Sequence, residues 1–169
     1  KGRIYPINAG ADEILGLKTY KNIKDVDDAV DVVCTSIPAP FVYESVKDCA
    51  EKGVKHNLII TSGFSEVGNI DEEKKITEYG RDHGMRIIGP NSMGIIDLNT
   101  SMTLSINAIL EMENLPAGRL GVISQSGSLL GALMSRGAAR GMGFSSLLSI
   151  GNEADLGVGE LVDVLVDEE

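Results

Sequence analysis

Apolar residues in the first half of the chain fall into short continuous runs, and the stretches between these runs carry apolar residues at helical spacing. The short runs predict buried strands, and they lie at residues 3–7, 31–36, 57–61 and 85–88. The periodic stretches predict helices, and they lie at residues 22–30, 40–52 and 71–83. Asn22 is a candidate N-cap, whereas Gly53 and Gly84 favour helix ends. This alternation predicts a parallel, doubly wound α/β sheet with right-handed crossovers.

The alternation is interrupted over residues 92–118, which look irregular apart from one candidate strand. That strand covers residues 102–106, and the Pro-Ala-Gly stretch at residues 116–118 is typical of a domain boundary. A second series then predicts strands and helices in turn, at residues 120–124, 127–141, 144–150 and 159–169. We therefore divide the chain into a first domain, a linker and the start of a second domain, at residues 1–100, 101–118 and 119–169.

The second series has only two strand–helix pairs, which are too few to bury both faces of a parallel sheet. The chain also begins on a predicted strand, without a preceding glycine-rich turn. We therefore expect a piece of a longer protein, cut at both ends.

Composition and charge narrow the range of possible functions. Hydrophobic residues make up 43% of the 169 residues and aromatic residues only 4%, as in an aliphatic α/β core. The net charge of -10 argues against a nucleic-acid surface, which needs clustered Lys and Arg. No run approaches the roughly 18 apolar residues of a membrane span, and no signal peptide is visible. We expect Cys34 and Cys49 to be buried thiols in a reducing cytoplasm rather than part of a disulfide framework.

Four turns rich in Gly, Pro and Ser follow the carboxyl ends of predicted strands. They lie at residues 36–40, 61–66, 89–94 and 124–127. Ligands of open α/β sheets lie at that edge, although the same residue types also make ordinary turns. Because four such turns share one edge, we favour a bound ligand.

The turn at residues 124–127, with the sequence SQSG, points to an anion. Hydroxyls at Ser124 and Ser126 can cap backbone N–H groups, and Gly127 allows the backbone to approach a ligand closely. The following helix adds about half a positive charge at its N-terminus. These features predict a phosphoryl site that needs no Lys or Arg, and a simple serine N-cap is the alternative.

The motifs GPNSMG, SQSG and GFSSLLSIGNEAD, in this order and spacing, resemble those of the NDP-forming acyl-CoA synthetases, relatives of the succinyl-CoA synthetase α subunit. IPAPFV and NLIITSGFSE match the CoA-binding domain of the same family, so the resemblance covers essentially the whole chain. It implies a Rossmann-like CoA-binding domain followed by the start of a flavodoxin-like ligase domain. The implied reaction is acyl-CoA + NDP + phosphate ⇌ acid + NTP + CoA, through an acyl phosphate and a phosphohistidine.

The resemblance also implies site residues. Those along the path of CoA are Asn8, Ile37, Pro38, Thr61, Ser62 and Gly63, with Asn91 and Ser92 near its thiol end. Those around the phosphate or acyl phosphate are Ser124, Gln125, Ser126 and Gly127, with Gly151, Asn152 and Glu153 from the following loop. The catalytic histidine is expected outside these residues, and we expect His56 and His83 to be ordinary surface residues.

This sequence departs from the family pattern in two places. Ser92 stands where relatives often carry Cys, so a thiol there would not be essential. Asn8-Ala9-Gly10 stands where many relatives have Asn-Pro-Lys, which removes a cationic contact for a phosphate of CoA.

Three carboxylates near the chain's last helix, those of Glu153, Asp155 and Glu160, raise the question of a metal. We expect none: Asp155 or a neighbour would cap the helix, and Glu160 would lie in its first turn, where the helix dipole favours it. The resemblance places Mg²⁺ with ATP or ADP on another domain or subunit. The implied partners are CoA, a small carboxylic acid, and an ATP-grasp domain or β subunit within a homo- or hetero-oligomer.

Two alternatives keep the same fold. A non-catalytic CoA- or acyl-CoA-binding regulatory domain would lack the catalytic histidine. A nicotinamide-dependent oxidoreductase would need an acidic residue at the end of its second strand, where Asn8 stands, although Asp12 follows four residues later.

Overall fold

The computed structural model describes residues 2–111 and 115–166, which form a three-stranded sheet, a four-stranded sheet and a small hairpin. The strands are β1 (Glu13–Ile14), β2 (Leu17–Lys18), β3 (Val32–Thr35), β4 (His56–Ile59), β5 (Arg86–Ile88), β6 (Gly94–Asp97), β7 (Met102–Ser105), β8 (Ala117–Ser124) and β9 (Phe144–Ser149). The α-helices are α1 (Val42–Lys52), α2 (Ile70–Asp82), α3 (Gly127–Ala138) and α4 (Val158–Val166). No helix in the described part of the chain is long and apolar enough to cross a membrane.

The first sheet is parallel, in the order β3-β4-β5, and confirms three of the predicted strands. Helices α1 and α2 pack on one of its faces, around a core of Val42, Val46, Cys49, Ile59, Ile76 and Ile87. Helix α1 ends as predicted at Gly53, whose φ of 86° is left-handed and whose N–H bonds to the carbonyl of Ala50.

Ile88 of β5 lies outside this core. It packs against a cluster of Leu148, Ile150 and Leu161 in the second half, which joins the two halves through apolar contacts. The prediction that both thiols are buried is wrong for Cys34. Its neighbour Val33 faces the helices, whereas Cys34 lies on the other side of the edge strand β3 and is exposed.

The second sheet has the order β7-β6-β9-β8. β8 and β9 are parallel, and β6 is antiparallel to both β7 and β9. Helix α3 packs on one face, in a cluster with Leu130, Met134 and Leu147, and α4 packs on the other through Leu161.

β7 confirms the candidate strand at residues 102–106, but β6 was not predicted, and residues 94–105 are therefore not irregular. β8 begins at Ala117, inside the predicted linker. The division of the chain at residues 100 and 118 stays a prediction.

Two N-terminal elements differ from expectation. Residues 3–7 do not form a strand, because within the described residues their only ladder contact is an isolated bridge between Ile7 and Tyr20. Residues 22–30 contain a single 3₁₀ turn, Ile23–Asp25, rather than a longer helix. Asn22 caps that turn as predicted, since its side chain accepts from the amide of Lys24 and its own amide donates to Asp25. The last three residues of the predicted helix at 159–169 lie outside the described residues.

Candidate functional site

The turns that follow β4, β5, β8 and β9 meet at the carboxyl edge of the two sheets. Backbone hydrogen bonds connect them: Asn91 N–H to the carbonyl of Thr61 (2.9 Å), Asn152 N–H to that of Pro90 (2.9 Å) and Ile150 N–H to that of Ser124 (3.0 Å). The turns predicted to bind CoA and those predicted to bind phosphate are therefore neighbours.

The turn after β3 is joined to the turn after β4 by one hydroxyl. Thr61 Oγ1 accepts from the N–H of Ile37 at 3.2 Å and donates to the carbonyl of Ile37 at 2.7 Å. Ile37, Pro38 and Ser62 stay exposed beside this contact. Their mixture of apolar and polar surface suits an amphipathic ligand such as the arm of CoA.

Asn8 is separate from the other candidate CoA contacts. Its Oδ1 accepts from the amides of Gly10 (2.8 Å) and Ala11 (2.9 Å), so that the side chain closes its own exposed turn. No hydrogen bond within residues 2–111 and 115–166 joins Asn8 to the turns after β3, β4 or β5.

Asn91 and Ser92, predicted near the thiol end of CoA, point in different directions. Asn91 is exposed and has a positive φ of 59°. Ser92 is 2% exposed. Its hydroxyl donates to the carbonyl of Ser149 and accepts from the amide of Gly94 at 2.9 Å. Ser92 thus joins the turn after β5 to β9, and the hydroxyl has both its roles filled within the protein.

Both hydroxyls of the SQSG turn act on the local backbone. Ser124 Oγ accepts from the amide of Ser126 at 3.0 Å, and Ser126 is the N-cap of α3, accepting from Leu129 N–H at 3.3 Å. The serine-cap alternative is therefore correct as a description of Ser126. The first amides of an α-helix have no partner within the helix, so those of Gly127 and Ser128 are the donors that this turn offers to an anion.

Packing explains why a residue without a side chain stands at position 127. A Cβ at this position would lie 2.3 Å from Cγ of Met93, which fills the space that a side chain would need. The absence of a side chain at Gly127 is therefore required by the turn after β5, whether or not a ligand binds.

The loop after β9 is held in an unusual conformation. Gly151 and Glu153 have positive φ values of 58° and 56°, and a Cβ on Gly151 would lie 2.1 Å from the carbonyl oxygen of Pro90. Glu153 Oε1 accepts from Val158 N–H at 2.7 Å and Oε2 accepts from Gln125 Nε2 at 2.8 Å. These two donors lower the pKa of Glu153. Glu153 thus accepts a hydrogen bond from the first amide of α4 and ties the loop to the SQSG turn.

Asp155 does not cap α4, although the sequence predicts Asp155 or a neighbouring residue as the cap. Its side chain is 1% exposed and is turned toward the first half, where it binds Arg81 Nη2 at 2.7 Å and Arg86 Nε at 3.0 Å. Burial raises the pKa of Asp155, but the donors Arg81, Ile87 N–H and Arg86 outweigh burial and lower it. Arg86 also binds Glu160, at 2.9 Å. In the described residues no group of three or more His, Cys, Asp or Glu side chains has an arrangement that could hold a metal ion.

Sequence reasoning missed Glu66 and Glu73 as site residues. Both carboxylates accept hydrogen bonds from the side-chain amide of Asn152. Glu66 lay within a predicted turn, but Glu73 looked like an ordinary acidic residue in the first turn of a helix, where the dipole favours a negative charge. Only the tertiary structure brings these carboxylates to the loop after β9.

The two histidines are surface residues, as predicted. His56 and His83 are both exposed, and the ring of His83 stacks on Tyr79 with centroids 4.1 Å apart. Neither ring lies among the turns of the carboxyl edge.

Comparison with known proteins gives matches to both halves. Residues 1–97 match the family described as CoA binding domain, and residues 117–169 match the family described as succinyl-CoA ligase like flavodoxin domain. These matches confirm the predicted fold: an α/β CoA-binding domain followed by a flavodoxin-like ligase domain.

Individual relatives cover nearly all of this chain. An ADP-forming acetate–CoA ligase of Methanocaldococcus jannaschii is 41% identical over 168 residues, which are 99% of this chain and 23% of that protein. The α subunit of ADP-forming acetate–CoA ligase II of Pyrococcus furiosus is 39% identical over 98% of this chain and 36% of its own length.

A solved structure is similarly close. The dinucleotide-forming acetyl-coenzyme A synthetase 1 of Ca. Korarchaeum cryptofilum, in complex with phosphate and ADP, superimposes with a TM-score of 0.92 at 39% identity, covering 100% of this chain and 35% of that one. The chain thus spans about a quarter to a little over a third of the length of these relatives.

Proposed function

Because this chain belongs to the family of CoA-binding domains, we propose that it forms the CoA- and phosphate-binding part of an NDP-forming acyl-CoA synthetase. The proposed reaction is acyl-CoA + NDP + phosphate ⇌ acid + NTP + CoA. Relatives that cover 98% or more of the chain bear the names of ADP-forming acetate–CoA ligases. ADP is therefore the proposed nucleotide, and a short carboxylic acid is the proposed acyl group.

The main support for this proposal is the contact between the turns proposed to bind CoA and those proposed to bind phosphate. An acyl-CoA synthetase must bring a thioester and phosphate within reach of one another. The backbone bonds from Asn91 to Thr61 and from Asn152 to Pro90 place the two sets of turns side by side. Two independent ligand sites would not need this arrangement.

CoA would lie along the turns after β3 and β4, against Ile37, Pro38, Ser62 and Gly63, with Thr61 holding the two turns together. Asn91 would lie near the thiol end, beside the buried Ser92. Because the structure places Asn8 in its own exposed turn, we assign it at most a contact at the nucleotide end of CoA.

Phosphate would lie at the start of α3, where Ser124, Gln125, Ser126 and Gly127 precede the first turn of the helix. Neutral backbone amides and the helix dipole bind the anion there. Gly151, Asn152 and Glu153 form the adjoining wall. The proposed phosphohistidine lies outside this chain.

The proposed partners follow from the share of the relatives that the chain spans. A relative of which the chain covers 36% is named an α subunit, so we propose an oligomer with an ATP-grasp domain or β subunit that brings ATP or ADP with Mg²⁺. A cytoplasmic location, where CoA and nucleotides are available, belongs to the same proposal.

The test uses the full-length protein and measures ATP formation from acetyl-CoA or another short acyl-CoA, phosphate and ADP. Thr61→Val removes the hydroxyl that makes two hydrogen bonds to Ile37. Because the two turns are then no longer held together, we expect KM for the thioester to rise about tenfold, which corresponds to about 1.4 kcal/mol. Thr100→Val is the matched control, because in the described part of the chain the Thr100 hydroxyl bonds to Asp97, in the distant β6–β7 turn.

A thermal-shift experiment separates the alternatives. CoA should stabilise the protein and NAD should not. Stabilisation by NAD alone would indicate the oxidoreductase, and stabilisation by CoA without any ATP formation would indicate the regulatory domain.

A further inference from the structure

Asn152 lies where the proposed CoA and phosphate regions meet, and its side-chain amide has no free donor. Nδ2 donates to Glu66 Oε2 at 2.6 Å and to Glu73 Oε2 at 2.7 Å, while Oδ1 accepts from Asn91 Nδ2 at 3.2 Å. An Asn amide has two N–H donors, and both are used. The opposite amide orientation would turn Oδ1 toward two carboxylates and is excluded by their charge.

Each carboxylate also holds the turn after β4. Glu66 accepts from the amides of Gly63 and Phe64, the latter at 3.1 Å. Glu73, which is 9% exposed, accepts from Ser65 twice, from its amide at 3.2 Å and from its hydroxyl at 2.7 Å. Both acids therefore connect residues 63–65 to the loop after β9.

We propose that Glu66, Glu73 and Asn152 are positioning residues that fix the distance between the CoA-binding turn after β4 and the phosphate-binding loop after β9. This inference rests on the proposed function. It changes the role of Asn152, which the family resemblance assigned to the phosphate itself. An amide that donates to two carboxylates cannot also donate to phosphate, and two negative charges beside it repel an anion.

The arrangement would act on both substrates together. A shift of the 63–65 turn relative to Asn152 changes the separation of thioester and phosphate, and displacement by about 1 Å costs on the order of 100-fold in rate. A residue that only bound phosphate would, by contrast, change the kinetics for phosphate alone. The two roles therefore predict different kinetics.

The experiment is a double-mutant cycle in the full-length enzyme with Asn152→Ala, Glu73→Ala and the double variant. For a positioning group we expect each single variant to lower kcat/KM about 10- to 100-fold for acyl-CoA and phosphate alike. The double variant should be no worse than the more impaired single variant, because residues that act as one unit are not additive. Glu78→Ala, an exposed acid on the same helix, is the control and should match wild type.

Glu73→Gln keeps the proposal testable if an alanine variant does not fold. All three donors to Glu73 converge on Oε2, so the single carbonyl oxygen of Gln can replace it and most activity should remain. Thermal unfolding of every variant identifies a defect in folding.

Four outcomes would overturn the inference. In an active wild-type enzyme, additive losses or a rise in KM for phosphate alone would do so and leave the proposed function standing. Loss of activity in Glu73→Gln equal to that of a folded Glu73→Ala would also overturn it. A wild-type protein without synthetase activity would overturn the proposed function, and the inference with it.

Discussion

Asp155 accepts a hydrogen bond from the backbone N–H of Ile87 at 2.8 Å, so a carboxylate of the second half is bound to the last strand of the first sheet. Arg81 and Arg86 bind the same carboxylate, and the side chain is 1% exposed. The backbone of Leu156 adds a bond to the carbonyl of Ile87 at 3.2 Å. The loop after β9 is therefore attached to the first sheet by polar contacts as well as by the apolar cluster at Ile88.

Asp155→Asn should destabilise the full-length protein at neutral pH by about 1.5–3 kcal/mol, since it weakens hydrogen bonds to a charged group. The pKa of Asp155 is lowered by folding, so its contribution is present above the unfolded pKa of about 3.9 and is lost as pH falls through the folded value. Urea denaturation between pH 7 and pH 3 should show the two curves converging at the acid end. A gap that stays constant over this range would contradict the assignment, and Asp82→Asn, at an exposed acid, is the control.

Gly151→Ala should be far more damaging than Gly141→Ala. Both glycines have a positive φ, 58° and 76°, so both substitutions carry a similar backbone strain. A Cβ on Gly151 would lie 2.1 Å from the carbonyl oxygen of Pro90, whereas nothing lies within 4 Å of a Cβ on Gly141. We expect a further loss of about 1–3 kcal/mol for Gly151→Ala, measured by thermal or chemical unfolding. Equal losses would show that the loop adapts.

Ser126→Gly separates the helix cap from a ligand contact. Glycine is tolerated at an N-cap at a cost of a few tenths of a kcal/mol, whereas Ser126→Ala should cost about 1 kcal/mol. Both variants lack the hydroxyl. If that hydroxyl also donates to phosphate, KM for phosphate should rise about tenfold in both, and stability should fall only in Ser126→Ala. An unchanged KM in both would leave Ser126 as a cap alone. Gly127→Val cannot make this distinction, because it clashes with Met93.

The two thiols should differ sharply in reactivity. Cys34 is exposed, whereas Cys49 is buried, and burial raises the pKa of Cys49 to about 11. Iodoacetamide should label Cys34 in the native protein and Cys49 only after denaturation, as read from the masses of the two peptides. Although Cys34 is exposed, neighbouring groups partly desolvate its sulfur, which raises its pKa, so its labelling rate should still increase above the usual thiol pKa of about 8.5. Labelling of Cys49 in the native protein would require an opening of the core between the first sheet and helices α1 and α2.

Local sequence patterns predicted the parts of the fold that depend on local forces. Helix α1 begins within two residues of its expected start and ends at Gly53, because apolar spacing and a left-handed glycine define it. β6 has only four residues, Gly94–Asp97, and it pairs with β9 about fifty residues later. Nothing in its own sequence specifies that antiparallel partner. The strand expected at residues 3–7 failed for the related reason that a strand needs a neighbour to bond with.

In the candidate site, too, the features that follow from local sequence were predicted, whereas the contacts between distant residues were not. The rule that ligands lie at the carboxyl edge placed four turns together without any knowledge of side-chain contacts. It gave no means of seeing that Asn152 is occupied by Glu66 and Glu73, because those acids come from a turn and a helix about eighty residues earlier. Ser92 and Gly127 were likewise assigned to a ligand, although Ser149 and Met93 account for their burial.

The β6–β7 hairpin bears on how such a protein could have been assembled from separate genes. Its eight strand residues precede the predicted linker or fall at its start, yet they belong to the sheet that β8 and β9 complete. A split into two genes between residues 97 and 102 would place β6 in one product and β7, β8 and β9 in the other, and would leave β9 with an open edge. Two separately encoded chains therefore keep the second sheet in one piece only when the junction lies ahead of Gly94.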